Sequence, residues 1–148
     1  MIVTSSTPYL WINAAEVAFL KAEYELRWGT KDAAKALYEQ AIRLSFEDKG
    51  AKDADAYIAD KTRKPAAYND PLGNYSATAL SSITIAWEDD SAEGADKAAI
   101  KERNLERIIT QKWIAIFPLG VEAWSEHRRT GYPRLLPAVE DKSGGTVD

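Results

Sequence analysis

The stretch IITQKWIAIFPLGVEAWSEHRRTGYP, running from Ile108 to Pro133, decides how the rest of the chain is read. Joined to Leu105 upstream, it carries Ile108/Ile109, Trp113 and Ile116/Phe117 at helical spacing. Pro118 ends that run, because proline lacks the N–H that a helix interior needs, and it suits the first turn of a new helix. Val121, Trp124 and Ser125 form the expected inner face of that short helix. Trp113 and Trp124 are therefore assigned to the core, and Trp124→Ala is expected to cost about 3 kcal/mol. Arg128 and Arg129 fall in the last turn, Gly131 is the natural C-cap, and Tyr132-Pro133 closes the element. One arginine is expected to grip a helix-end carbonyl or a carboxylate with both nitrogens and so fix the turn that follows.

Upstream, two more helices announce themselves. Asn13 and Glu16 have the spacing of a capping box. Ala15, Ala18/Phe19, Ala22 and Leu26 then recur at helical spacing, with Glu23 and Arg27 expected as an outward i,i+4 pair and Gly29 closing the helix. Thr30 caps the next helix, with Asp32 in its first turn. Its stripe is Ala34, Leu37/Tyr38, Ala41 and Leu44/Ser45, while Glu39 and Arg43 face water. So short a connection predicts an antiparallel hairpin. Ala22, Ala34, Tyr38 and Ala41 sit where a tetratricopeptide-type repeat wants small, small, aromatic and small residues. Lys21 and Glu25 stand where that pattern usually has bulky apolar groups, and only one copy is visible.

The reading is an all-α fold: a tetratricopeptide-like helical hairpin plus further packed helices and long irregular loops. Principal helices are expected near 14–28, 31–47, 97–117 and 119–130, in one domain over 1–148 with a flexible tail at 138–148. Residues 48–96 are irregular. A short helix fits 54–61, turns fall at Pro65, Asn69-Asp70-Pro71 and Gly73-Asn74, and Ser82 to Trp87 reads as extended chain or one helical turn. A connection of this length is functional or a place where another part docks.

Composition removes several classes of function. The 45% hydrophobic and 28% charged content is that of an ordinary globular domain. A formal charge of −4 offers no general attraction for nucleic acid. There is no cysteine, hence no disulfide and no thiolate chemistry. No apolar run approaches the roughly 20 residues of a transmembrane helix, and Met1 to Ser5 lead into no signal-peptide pattern. The single histidine, His127, lacks partners for a zinc site and reads as a helix-end residue. No nucleophile elbow is present. Glu88, Asp89 and Asp90 beside Trp87 match neither a dried catalytic acid nor the helix–loop–helix calcium spacing. No catalytic residue, metal or cofactor is expected.

The aromatic residues carry more. Five tryptophans and seven tyrosines are present, and Trp28, Tyr68, Tyr75 and Trp87 stand beside turns, where a ring can offer a flat apolar face. Asn69, Asp70 and Asn74 lie close by in sequence. Tyr68, Asn69, Asp70, Asn74, Tyr75 and Trp87 are therefore the candidate ligand-binding residues, suited to the faces and hydroxyls of a sugar.

The segment Asn13 to Glu23 with Gly29 resembles the "AEVxFLKAEA…G" helix of SusD/RagB-type outer-membrane lipoproteins, and Ile42 to Ser45 resembles the "GI..S" end of that family's next helix. The block from Ile108 to Pro133 is similar, almost residue for residue, to the family's "I..QKWIALFPxGxEAWxExRRTGYP". The resemblance runs from about Pro8 to Pro137. It implies a helical fold on tetratricopeptide-like pairs and a non-enzymatic module of a glycan- or nutrient-binding lipoprotein. Such a protein sits on the outer face of the outer membrane and partners a TonB-dependent transporter. It also implies that this chain is a C-terminal-region fragment without the export signal. Glu16, Lys21, Gln111, Trp113, Trp124, Arg128 and Arg129 are then scaffold residues. The alternative reading is a free-standing tetratricopeptide-like adaptor that binds protein or peptide through its hairpin groove.

Overall fold

The structure, a computed structural model, describes residues 11–73 and 75–136. Along it run α1 (Ala14–Trp28), α2 (Lys31–Asp48), α3 (Ala54–Ile58), β1 (Tyr68–Asn69), β2 (Ser76–Ala77), α4 (Lys97–Ala115) and α5 (Gly120–Thr130). The fold is mostly helical, and its two short strands form one antiparallel hairpin in which Tyr68 faces Ala77 and Asn69 faces Ser76. The four principal helices stand where the periodicity puts them. The short helix stops at Ile58 rather than residue 61. Pro118, joined to Phe117 by a cis peptide bond, lies before α5 and not in its first turn. The tail expected at 138–148 and the candidate residue Asn74 lie outside the described residues.

Helix α1 is the element on which the others assemble, packing against both α2 and α4. The Asn13 side-chain oxygen accepts from the Glu16 backbone N–H at 2.7 Å, and its amide nitrogen donates to Ala115 O at 3.2 Å. One residue thus caps α1 and ties its start to the end of α4. The capping box is only half made, since the Glu16 carboxylate turns toward Lys112 instead of returning to the cap. Ala15, Ala18 and Ala22 of α1 meet Ala34 and Ala41 of α2, all buried. With no side chain beyond Cβ between them, the two backbones approach closely, and Tyr38 fills the space alongside. Its ring meets Phe19 edge-on at 6.2 Å and lies 5.5 Å from Trp87. Its hydroxyl donates to Ile85 O at 2.7 Å, so the hairpin core also anchors the long connection.

The connection is held from the other side by α4. Asn104 accepts from the Glu88 N–H (3.1 Å) and donates to the Glu88 carbonyl (2.9 Å), while Arg107 donates to Thr84 O (3.0 Å). Asn104 and Arg107 are both buried. They supply the hydrogen bonds that extended backbone under a core would otherwise lack. Ile83, Ile85 and Ala86 are buried as a result.

Several side chains face the opposite way from the sequence reading. Trp113 is 37% exposed, Trp124 55% and Val121 84%. The residues of α4 that turn inward include Leu105, Ile108, Ile109, Lys112 and Ala115, followed by Ile116 just past its end; those of α5 are Ala123 and Glu126. Lys112 and Glu126 share the inward arc with Ile108, Ile109 and Ala123, and their ion pair joins the two helices in this roll. The α2 stripe likewise includes a fully buried Ile42. Glu23, expected in water, is buried.

Tyr38→Phe leaves the Ile85 carbonyl without its partner and should lower the unfolding free energy by about 1–2 kcal/mol in urea denaturation. Trp124→Ala, by contrast, should change it by less than about 1 kcal/mol, as befits a half-exposed ring.

Candidate functional site

Two places gather side chains with chemical potential, and they differ in kind. The first is the β1–β2 hairpin. Asp70 makes its turn: its N–H donates to Tyr75 O at 2.8 Å, its carbonyl accepts from the Gly73 N–H at 2.9 Å, and its carboxylate accepts from the Leu72 N–H at 3.1 Å. Gly73 takes a φ of 73°, which a residue with Cβ adopts at a cost. The turn brings the Tyr68 and Tyr75 rings to 6.0 Å, tilted by 43°. Tyr68 and Asn69 are exposed, and Tyr75 and Asp70 are half-buried. Four of the six candidate ligand residues therefore share this hairpin. Trp87 does not join them, because its ring is held against Tyr38 at the core. Trp28 also has another neighbour, lying 5.4 Å from Tyr24 on the outer side of α1, with both rings exposed.

Glu88, Asp89 and Asp90 each have a partner. Glu88 takes Arg103 and lies 3.2 Å from Arg107, and Asp90 pairs with Lys31. The Arg103 hydrogen bond, aided by the charges of Arg107 and Arg103, holds the Glu88 carboxyl below its usual range against the opposing effect of burial. Asp89 is lowered too, by the Ser91 N–H and hydroxyl. Carboxyls held in this direction stay ionised and cannot serve as general acids near neutrality. Among the described residues no group of acids and histidine is arranged to hold a metal. His127 Nδ1 lies 3.0 Å from Pro133 O, so it carries the proton, and its ring stacks on Trp124 at 5.6 Å. That is a structural role.

The second place is a buried ladder of charges between α1, α4 and α5. Arg129 donates through both terminal nitrogens to Glu23 (2.6 Å each) and through Nη2 to Glu126 (2.6 Å). Glu126 also accepts from Lys112 Nζ at 2.7 Å, and Lys112, only 1% exposed, lies 3.8 Å from Glu16 and 3.7 Å from Glu122. Arg27 completes the far end by donating to Glu23 at 2.8 Å. The forked grip expected of one arginine is made by Arg129, while Arg128 is exposed. Gln111 exchanges hydrogen bonds with the Tyr57 hydroxyl (3.0 and 3.1 Å), and Lys21 lies exposed on α1.

Burial pushes the Glu16 carboxyl up, Lys112 only partly opposing it, and Glu16 Oε2 has no hydrogen-bond partner among the described residues. Burial acts the same way on Glu23, but the Arg129 and Arg27 hydrogen bonds and charges outweigh it and bring its pKa down. Sequence reasoning missed Glu23, Lys112 and Glu126 as interior residues. The one available signal was that Lys112 and Glu126 fall on the inward arc fixed by Ile108, Ile109 and Ala123.

The architecture is a helical hairpin with two further helices and an aromatic-tipped loop packed on it, and comparison with known proteins assigns it to a family. The family model described as SusD-like, Susd and RagB outer membrane lipoprotein, matches residues 1–148, and the chain belongs to that family. A solved SusD homologue from Bacteroides thetaiotaomicron is 51% identical over 95% of this chain and 28% of its own, with a TM-score of 0.82. One from Bacteroides uniformis is 51% identical over 99% of this chain and 30% of its own, at 0.83. A chitin-binding SusD homologue from Flavobacterium johnsoniae is 46% identical over 90% of this chain and 27% of its own, at 0.77. The chain thus spans under a third of the length of these relatives. No curated protein matches it.

Arg129→Ala leaves buried Glu23 with Arg27 in place of two arginines and should cost about 1–2 kcal/mol, a figure reduced for the partial exposure of Arg129. Arg128→Ala should stay within about 0.5 kcal/mol. Urea midpoints of the two variants side by side check this.

The two glutamates should also separate by pH. With its folded pKa below 4.5, Glu23 adds stability that is present above that value and lost as the pH falls through the folded pKa. Glu16, raised above 4.5, adds stability present below that value and lost as the pH rises through its folded pKa. Melting temperatures between about pH 3 and about pH 7 should therefore show a flatter acid-side fall for Glu23→Gln and a steeper one for Glu16→Gln.

Proposed function

We propose that the chain is a non-catalytic binding and scaffold part of a cell-surface lipoprotein that captures a glycan or other nutrient. In this reading the whole protein sits on the extracellular face of the outer membrane and delivers its ligand to a TonB-dependent transporter. The observation that carries the proposal is the likeness, over nine-tenths of this chain, to a homologue described as chitin-binding. Among the described residues no helix is long and apolar enough to cross a membrane, which suits attachment to a membrane from one side.

Within this chain, sugar contact falls to the β1–β2 hairpin. Tyr68 offers a ring face, Tyr75 backs it, and Asn69 and Asp70 supply amide and carboxylate edges for hydroxyls. The surface is shallow and single, so few contacts are desolvated and affinity is weak, in the region of about 1 mM. Nothing in the site turns the sugar over.

Nuclear magnetic resonance titration of the labelled chain with a panel of oligosaccharides, chitin fragments included, tests the reading. Amide shifts should be confined to residues 68–77 and should vanish in Tyr68→Ala. The Trp87 indole, held at the core, should not move. Silence across the panel at millimolar sugar would defeat the assignment of sugar contact to this hairpin.

A further inference from the structure

Away from the hairpin tip, α3, α4 and the extended segment enclose a cleft of about 320 Å³. Ile83, Ile85 and Ile114 give it an aliphatic floor, and Tyr57 and Gln111 form one wall. Arg63 and Lys64 stand at its mouth, both exposed, with Pro65 stiffening the backbone after them. No acidic residue lines it, in a chain whose formal charge is −4. Asp60, the nearest acid, is turned to Arg63: its carboxylate accepts from Arg63 Nε at 2.8 Å and from the Thr62 and Arg63 N–H groups. Lys64, by contrast, has no carboxylate within ion-pair distance among the described residues. One uncompensated cation therefore overlooks an apolar hollow.

We propose that this cleft binds a small carboxylate with a compact hydrocarbon body, the body on the isoleucine floor and the carboxylate at Lys64. Such a group is presented by a free branched acid or by the C-terminal residue of a peptide. The lining argues against a sugar. A pyranose brings several hydroxyls that need partners once they leave water. Here the Tyr57 hydroxyl and the Gln111 amide are already engaged with each other, and besides the two cations only Thr84 and Thr110 add polar side chains to the lining. The Tyr57 ring also lies 5.1 Å from Phe46, which occupies part of its surface. An aliphatic group asks nothing of these walls and gains from leaving water. The proposal does not depend on the glycan reading of the hairpin, since it concerns other residues and another ligand chemistry.

Methyl-labelled chain titrated with 4-methylpentanoate, its amide, a short peptide ending in leucine and glucuronate is the test. The expected result is a set of shifts at the Ile83, Ile85 and Ile114 methyls with a Kd near about 1 mM for the acid. The amide should bind roughly fivefold more weakly, and so should the acid to Lys64→Glu, an exposed change that leaves the fold intact. Binding of the free acid alone assigns the site to small acids and binding of the peptide alone assigns it to chain ends; either supports the carboxylate chemistry. Methyl signals unmoved by all ligands at about 10 mM would overturn the proposal. So would equal binding of acid and amide, a Lys64→Glu chain that binds as well as the parent, or glucuronate binding as tightly as the acid.

Discussion

The contact on which the structure depends is the forked hydrogen bond from Arg129 to Glu23, continued through Glu126 to Lys112. It joins α5, the last helix, to α1, the first, across 106 positions of sequence. Removing a member takes a partner from a buried charge, and a buried charge that loses hydrogen bonds costs far more than an exposed one. The ladder also fixes orientation. A hydrophobic stripe tolerates some rotation of a helix, whereas a bidentate arginine does not. With Lys112 and Glu126 committed inward, α4 and α5 take the roll that leaves Trp113 and Trp124 toward solvent.

A second set of polar groups does for the long connection what the ladder does for the helices. Residues 84–88 have no sheet to satisfy their backbone. Tyr38, Asn104 and Arg107 provide partners from two different helices instead. The connection is thereby pressed onto the core through Ile85 and Trp87, and α3 is held by the Ala86 N–H on Asp60 O at 2.9 Å. This arrangement gives the cleft its floor. The β1–β2 hairpin carries a turn built on Asp70 and an exposed Tyr68, and an exposed loop is where adaptable contact belongs.

Much of the fold was legible because its signals are local. The caps at Asn13 and Thr30, the stripe through Ala15, Ala18, Ala22 and Leu26, and the glycine at Gly131 each act within a turn or two of themselves. The long block from Ile108 to Pro133 carried the family. What could not be read was which face of a mixed helix goes inside. Glu23 spaced four from Arg27 has the pattern of a surface pair, and only the arrival of Arg129 makes it an interior one. Trp113 and Trp124 have the pattern of core, but the inward arc that holds Ile108, Lys112 and Glu126 leaves them exposed. Among the candidate ligand residues, Trp87 lies apart from the hairpin for the same reason. Tyr68 and Tyr75 meet because a local turn brings them together, whereas the position of Trp87 depends on Tyr38, far away in sequence.

The exposed aromatic and aliphatic side chains complete the argument. Leu20, Tyr24 and Trp28 are exposed along one side of α1, and Trp113, Phe117, Val121 and Trp124 are exposed around the turn between α4 and α5. Scattered exposure is ordinary, but rings gathered at two places on one small chain are not. The relatives devote more than two thirds of their length to residues that this chain does not cover. A scaffold whose internal order is set by charges can leave its rings outward at little cost to its own core, since Tyr38, Phe19 and Ile108 already fill it.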